Sequence, residues 1–170
     1  MDKRSLEIYL GDLLLEQGLR LAVAESCTGG LIGHLITNVP GSSQYFLGGV
    51  MAYANETKMK LLGVRQGTLM EQGAVSRETV LEMAAGVRRA LGADIGAAIS
   101  GIAGPGGGTP EKPVGLTWIG LSAPGVEAAW SYIWHGDRLA VKEQSARQVL
   151  RLLVDYLLGQ LPDYDPSDKR

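Results

Sequence analysis

Cysteine occurs once in this chain, as Cys27, which excludes an intrachain disulfide and fits a reducing, cytoplasmic compartment. Histidine occurs twice, as His34 and His135, in unrelated places with no ligand-like spacing to Cys27, so no metal site is expected. Aromatic residues amount to only 6%, too few to offer a stacking surface to single-stranded nucleic acid. An excess of one charge is missing as well. Sixteen Lys and Arg face eighteen Asp and Glu, and a net charge of −2 gives no global attraction to nucleic acid. No apolar run approaches the roughly 20 residues of a membrane span, and Met1-Asp2-Lys3-Arg4 leads into no secretory segment. Internal repeats, low-complexity blocks and linkers are also lacking. What remains is 170 residues with 45% apolar content, the profile of one globular domain spanning residues 1–170.

Glycine, by contrast, is plentiful at 24 residues, and its clusters mark the informative stretches. The first is Ala24-Glu25-Ser26-Cys27-Thr28-Gly29-Gly30. It follows a buried-strand pattern, Leu21-Ala22-Val23-Ala24, and precedes a helical one from about Thr28 to Asn38. A strand-to-helix junction offers unpaired backbone N–H groups at the positive end of a helix dipole, where an oxyanion would be stabilised. Ser26 or Thr28 could equally serve only as a helix cap.

Before this junction, Leu6, Tyr9, Leu10, Leu13 and Leu14 predict an amphipathic helix ending near Gly18. After it come a predicted strand over Tyr45–Ala54 carrying Gly48-Gly49, and a short helix over Asn55–Leu62 with Asn55 as its cap. A helix capped by Ser76 runs to Gly92, followed by a strand over Asp94–Ser100. Val114–Ser122 and Val126–Trp134 read as a hairpin about Ala123-Pro124-Gly125. Asp137 caps a long last helix, and a polar tail from about residue 162 is expected to fray. Alternating helices and strands followed by a hairpin predict an α/β fold, a three-layer α/β/α sandwich with a mixed sheet of about five strands.

Three further stretches could carry chemistry. Tyr53-Ala54-Asn55-Glu56-Thr57-Lys58 lies where a strand ends, the edge at which open α/β sheets gather their sites. A serine hydroxyl needs a base to become a nucleophile. Neither histidine is tied to Ser26 by sequence, which leaves Lys58, with Tyr53 as a hydroxyl relay and Asn55 as a positioning group. Lys58 must then hold its pKa well below the usual value of about 10.4; otherwise it is a lysine on a solvated helix face. Cys27, adjacent to Ser26, is the competing nucleophile. The loop from Gly101 to Pro113, with Ile102, Ala103 and Gly104 at its start, fits neither a dinucleotide fingerprint nor a P-loop. It reads as a run of accessible amides for an anionic or planar ligand, or as a long structural turn. Arg138 sits at a helix start, where the dipole disfavours a cation, and so points to an anionic partner or a nearby carboxylate.

Taken together, Ala24–Gly30, Tyr53–Lys58, Gly73-Ala74-Val75-Ser76, Ser100–Pro105 with Lys112-Pro113-Val114-Gly115, and Gly136-Asp137-Arg138 resemble the CinA C-terminal domain family, the nicotinamide-nucleotide amidohydrolases. The resemblance runs over roughly residues 5 to 158. The preceding molybdopterin-binding-like domain of full-length CinA proteins has no counterpart here, so the stand-alone form is expected. The resemblance implies a bacterial enzyme that converts nicotinamide mononucleotide to nicotinic acid mononucleotide and ammonia, without metal or cofactor, in pyridine-nucleotide recycling. By motif it puts the nucleophile at Ser26 and the base at Lys58, with Tyr53 beside them. Backbone around Cys27, Thr28, Gly29 and Gly30 would hold the oxyanion, and Arg138 with the Gly101–Gly108 loop the 5′-phosphate. Two alternatives stand beside this: a pyridine-nucleotide sensor without turnover, and a competence-related interaction module. A homodimer is the expected assembly, because the edges of a five-stranded sheet are exposed.

Overall fold

The computed structural model describes residues 5–164. The expected frayed tail falls outside the described residues from 165 on, and residues 162–164 adopt neither helix nor strand. Five strands, β1 (Leu21–Glu25), β2 (Phe46–Met51), β3 (Ile95–Gly101), β4 (Leu116–Ala123) and β5 (Val126–Ile133), form one sheet in the order β2-β1-β3-β4-β5. β1 runs parallel to both β2 and β3, whereas β3–β4 and β4–β5 are antiparallel. Among the described residues six α-helices flank them: α1 (Leu6–Gln17), α2 (Leu31–Thr37), α3 (Asn55–Leu62), α4 (Gln66–Glu71), α5 (Arg77–Leu91) and α6 (Arg138–Leu157).

The two faces of the sheet are built differently. Period-two alternation sends Leu21, Val23, Ile95, Ala97 and Ile99 into a large core with Leu10 and Leu14 of α1, Ile36 of α2 and Leu150 of α6. The opposite face presents small residues, Ala22, Ala24 and Ala98, to Leu62 of α3 and to Met83, Ala84 and Val87 of α5. Glycine extends this shallow face. A Cβ on Gly120 would collide with the Val80 carbonyl, and one on Gly96 with the Ala84 carbonyl, both backbone of α5. The helix therefore lies closer to the sheet than any larger side chain would allow, and the mixed sandwich expected from the sequence is what forms.

α3 and α5 are locked together in the same way, since a Cβ on Gly86 would meet the Leu62 carbonyl. This reverses an ordinary rule. Alanine is the better helix former by about 1 kcal/mol, yet Gly86→Ala is expected to destabilise the protein by about 1–3 kcal/mol through overpacking. Urea denaturation at equilibrium measures it, and a stabilised variant would contradict this account of the α3–α5 contact.

Several boundaries differ from those the sequence predicts. α2 begins at Leu31 rather than near Thr28, because Gly29 and Gly30 adopt positive φ and hold the chain in a turn. β2 ends at Met51, not Ala54, and Ala54 rather than Asn55 precedes the first turn of α3. α4 was not predicted at all. Its Arg65 amide and guanidinium and its Thr68 hydroxyl all donate to the Glu82 carboxylate of α5, each at 2.8 Å. Those bonds hold Glu82 below the usual carboxylate pKa despite the opposing effect of burial. The caps at Ser76 and Asp137 and the left-handed Gly18 lie where the sequence puts them.

Candidate active site

β1 delivers Ser26 to the carboxyl edge of the sheet, where its amide donates to the Ile99 carbonyl of β3 at 3.1 Å. Lys58 arrives from the other side. It stands on the first turn of α3, on the same face as Leu62 four residues on, which is anchored in the small-residue core. That anchoring turns the lysine inward, and only 1% of it is exposed. Its Nζ lies 3.1 Å from Ser26 Oγ, and donates to the carbonyls of Ala52 at 2.8 Å and Tyr53 at 3.1 Å. Burial lowers the Lys58 pKa from its ordinary value, since removal from water penalises the ammonium form. In the neutral amine the two hydrogens are taken by the two carbonyls, and the lone pair is left to face the Ser26 hydroxyl. This is the arrangement that a proton acceptor for Ser26 requires.

Cys27 sits beside Ser26 but in different surroundings. It is packed in the large core, and burial pushes its thiol up to about 12, with the neighbouring Glu25 charge adding to the rise. A thiol held there stays protonated at neutral pH and is a poor nucleophile.

Glu25 was not singled out from the sequence, where it reads merely as the end of a strand. Its buried carboxylate accepts from the Thr28 hydroxyl at 2.6 Å, from the amides of Gly30 and Ile32 at 3.1 Å each, and from the Gly33 amide at 2.8 Å. Glu25, not Ser26 or Thr28, therefore caps α2. The signal was available: an acidic residue directly after an apolar strand and a few residues ahead of a helix. Glu25→Ala leaves three amides and a hydroxyl without their acceptor and is expected to cost about 3 kcal/mol or more of stability. Glu25→Gln, which keeps the shape and loses the charge, should cost less. Chemical denaturation of both variants checks this; equal stability of Glu25→Ala and the parent would contradict the capping role.

This cap also settles where the glycine-rich turn faces. Thr28 and Gly30 are tied to Glu25, and the Gly29 amide donates to the Ser26 carbonyl at 3.1 Å. Thr28, Gly29 and Gly30 line a separate depression with His34 and Lys142, not the cavity at Ser26. The structure therefore does not bring these three, expected from the sequence to bind substrate, to the Ser26 cavity. Cys27 does line the Ser26 cavity, and its amide takes no part in these bonds.

The cavity in front of Ser26 measures about 290 Å³. Ser26, Cys27 and Lys58 form its floor, while Tyr53 and Asn55 border it from the β2–α3 connection. Gly101, Ile102, Ala103 and Gly104 come from the loop after β3, and Arg138 from the start of α6. Gly106 and Gly107, from the loop expected to hold the phosphate, also line it, as do Ala74 and Val75, ahead of α5, and Ser100, which were not among the predicted site residues. The Arg138 guanidinium donates to the Gly104 carbonyl at 2.7 Å and to the Tyr53 hydroxyl at 3.1 Å. Tyr53 thus differs from its predicted role. Its side chain is 62% exposed and its hydroxyl engages Arg138, while its backbone carbonyl is what touches Lys58. Among the described residues, no group of three or more His, Cys, Asp or Glu is arranged to hold a metal ion, and no helix is long and apolar enough to cross a membrane.

The fold and site so described are those of an α/β domain whose candidate site lies at the carboxyl edge of its parallel strands. The chain belongs to the CinA C-terminal domain family, whose model matches residues 3–157. It is 51% identical over 159 residues to a competence-damage inducible protein of Moorella thermoacetica, covering 94% of this chain and 38% of that protein. It is 49% identical over 148 residues to a CinA-like protein of Thermotoga maritima, covering 87% and 36%. The chain thus spans less than two-fifths of the length of these relatives. Among solved structures, a competence-damaged protein (CinA) superfamily protein from Klebsiella pneumoniae superposes with a TM-score of 0.87 at 34% identity, covering 91% of this chain and 96% of that one. A competence/damage inducible protein from Agrobacterium tumefaciens gives 0.82 at 35% identity, covering 93% and 99%.

Proposed function

We propose that this protein is an amidohydrolase that converts nicotinamide mononucleotide to nicotinic acid mononucleotide and ammonia through an acyl-enzyme on Ser26. The observation that carries the reading is the buried Lys58 amine, 3.1 Å from Ser26 Oγ, with its pKa lowered by burial and two carbonyls fixing its hydrogens. Ser26 Oγ attacks the carboxamide carbon as Lys58 Nζ takes its proton. The tetrahedral oxyanion is met by the Cys27 amide, a good donor contributing about 3 kcal/mol in comparable sites. Collapse breaks the C–N bond, and Lys58 returns the proton to the departing nitrogen as ammonia. Water then attacks the ester with Lys58 again as base, restoring Ser26 and releasing the carboxylate.

Arg138 is the candidate anchor for the 5′-phosphate. Two of its N–H groups are engaged, by Gly104 and Tyr53, and a guanidinium carries five. The bonds that tie it to the loop after β3 also hold it over the cavity mouth, where a dianion would displace solvent. The reading is tested by incubating the protein with nicotinamide mononucleotide and measuring ammonia. Release with formation of the carboxylate nucleotide is the expected result. Binding without ammonia would instead mark a nucleotide sensor, and neither binding nor release would leave an interaction module.

A further inference from the structure

Two neighbouring strands end in the same way. On the face that packs against α3 and α5, β1 presents Ala22 and Ala24, and β3 presents Ala98. The strands are parallel, with Ala24 opposite Ala98 and Glu25 opposite Ile99. One residue further, the small-residue row gives way to a serine on each strand: Ser26 after β1 and Ser100 on β3. The bond from the Ser26 amide to the Ile99 carbonyl carries the pairing across this step, so the two serines stand side by side at adjacent-strand spacing, about 5 Å.

Ser100 is 1% exposed and lines the Ser26 cavity. Its hydroxyl has no hydrogen-bond partner among the described residues. Ser76 and Ser122, similarly buried, are both bonded within the protein. Ser145 also has an unpaired hydroxyl, but it does not line this cavity. Unlike the Ser145 hydroxyl, which is enclosed, that of Ser100 opens on the cavity with no protein group to engage it, and alanine already fills the equivalent place at Ala98. Packing alone thus gives no reason for the oxygen of Ser100, whereas a ligand in the cavity does.

We propose that Ser100 is a specificity residue that touches the substrate, its Oγ accepting a hydrogen bond from the carboxamide NH2 beside the Ser26–Lys58 pair. This rests on the amidase reading above. The contact holds the amide nitrogen on the sheet side of the scissile bond and leaves the carbonyl oxygen free to face the Cys27 amide. An ester offers no such N–H. Amide is then favoured over ester by the acceptor, in addition to any difference in intrinsic reactivity.

The test compares Ser100→Ala with the parent on two substrates, nicotinamide mononucleotide and the methyl ester of nicotinic acid mononucleotide, with a thermal melt of each protein. The ratio of kcat/KM for amide over ester is expected to fall about tenfold or more in Ser100→Ala, with Tm unchanged or raised. An unchanged ratio would overturn the proposal while leaving the amidase reading intact. So would a fall of several degrees in Tm, which would make Ser100 a structural residue. A parent protein that releases no ammonia from the amide would instead sink the amidase reading, and this inference with it.

Discussion

Ser26→Ala is expected to lower ammonia release from nicotinamide mononucleotide by about 10³-fold or more, whereas Cys27→Ala should retain most of it, within about threefold. The two residues are adjacent, and chemistry in isolation favours the thiol. The surroundings reverse that order. Cys27 is held protonated by burial, with its thiol near 12, while Ser26 has the Lys58 amine at 3.1 Å to take its proton. Removing the sulfur of Cys27 trims a small side chain from the core and should show chiefly as a modest loss of stability. Steady-state kinetics of the two variants, with thermal melts as a folding control, decide the matter. An active Ser26→Ala beside an inactive Cys27→Ala would make this a cysteine hydrolase.

Lys58 carries the second large effect. Arginine keeps the positive charge but does not release its proton, so Lys58→Arg should be nearly as inactive as Lys58→Ala. Both should still bind the nucleotide, because Arg138 and the loop after β3 are untouched. The sign of the pH dependence follows from the direction of the shift. Burial favours the neutral amine, so the Lys58 pKa lies below its ordinary value and the competent form accumulates as pH rises through it. The parent kcat/KM should therefore climb with pH along an ionisation below the usual lysine range and then level off. Substantial turnover by Lys58→Arg with the parent's pH profile would remove Lys58 from the role of base.

Much of this arrangement was legible because each motif ends an element. The strand ending at Ala24, one residue short of the observed β1, and the caps at Ser76 and Asp137 follow from apolar pattern and local hydrogen-bonding chemistry, and they fix which edge of the sheet receives Ser26 and Arg138. What escaped notice depends on long-range partners. α4 has Gly67 within it and little apolar periodicity. It is held by Arg65 and Thr68 on Glu82, a residue 14 or more positions away. Ser26 and Thr28 read as possible caps of α2 because their hydroxyls lie in the turn itself; Glu25 reaches forward across as many as eight residues. Tyr53 was read for its hydroxyl, but its carbonyl is the group that meets Lys58, and a backbone contact leaves no mark on residue type. Proximity in sequence to Ser26 points Thr28, Gly29 and Gly30 at substrate, but Thr28 and Gly30 are tied to Glu25 by long-range bonds that residue type does not reveal. Ser100 escaped for a related reason: its significance lies in an absent partner and in the register of two strands.

The central claim, an acyl-enzyme on Ser26, is tested most directly by hydroxylamine trapping during turnover of nicotinamide mononucleotide. Hydroxylamine intercepts an ester intermediate and diverts the product from carboxylate to hydroxamate. The account predicts that hydroxamate grows with hydroxylamine concentration at the expense of the carboxylate nucleotide, that ammonia release persists, and that both products vanish in Ser26→Ala. Ammonia release with no hydroxamate at any concentration, or hydroxamate that survives Ser26→Ala, would contradict it.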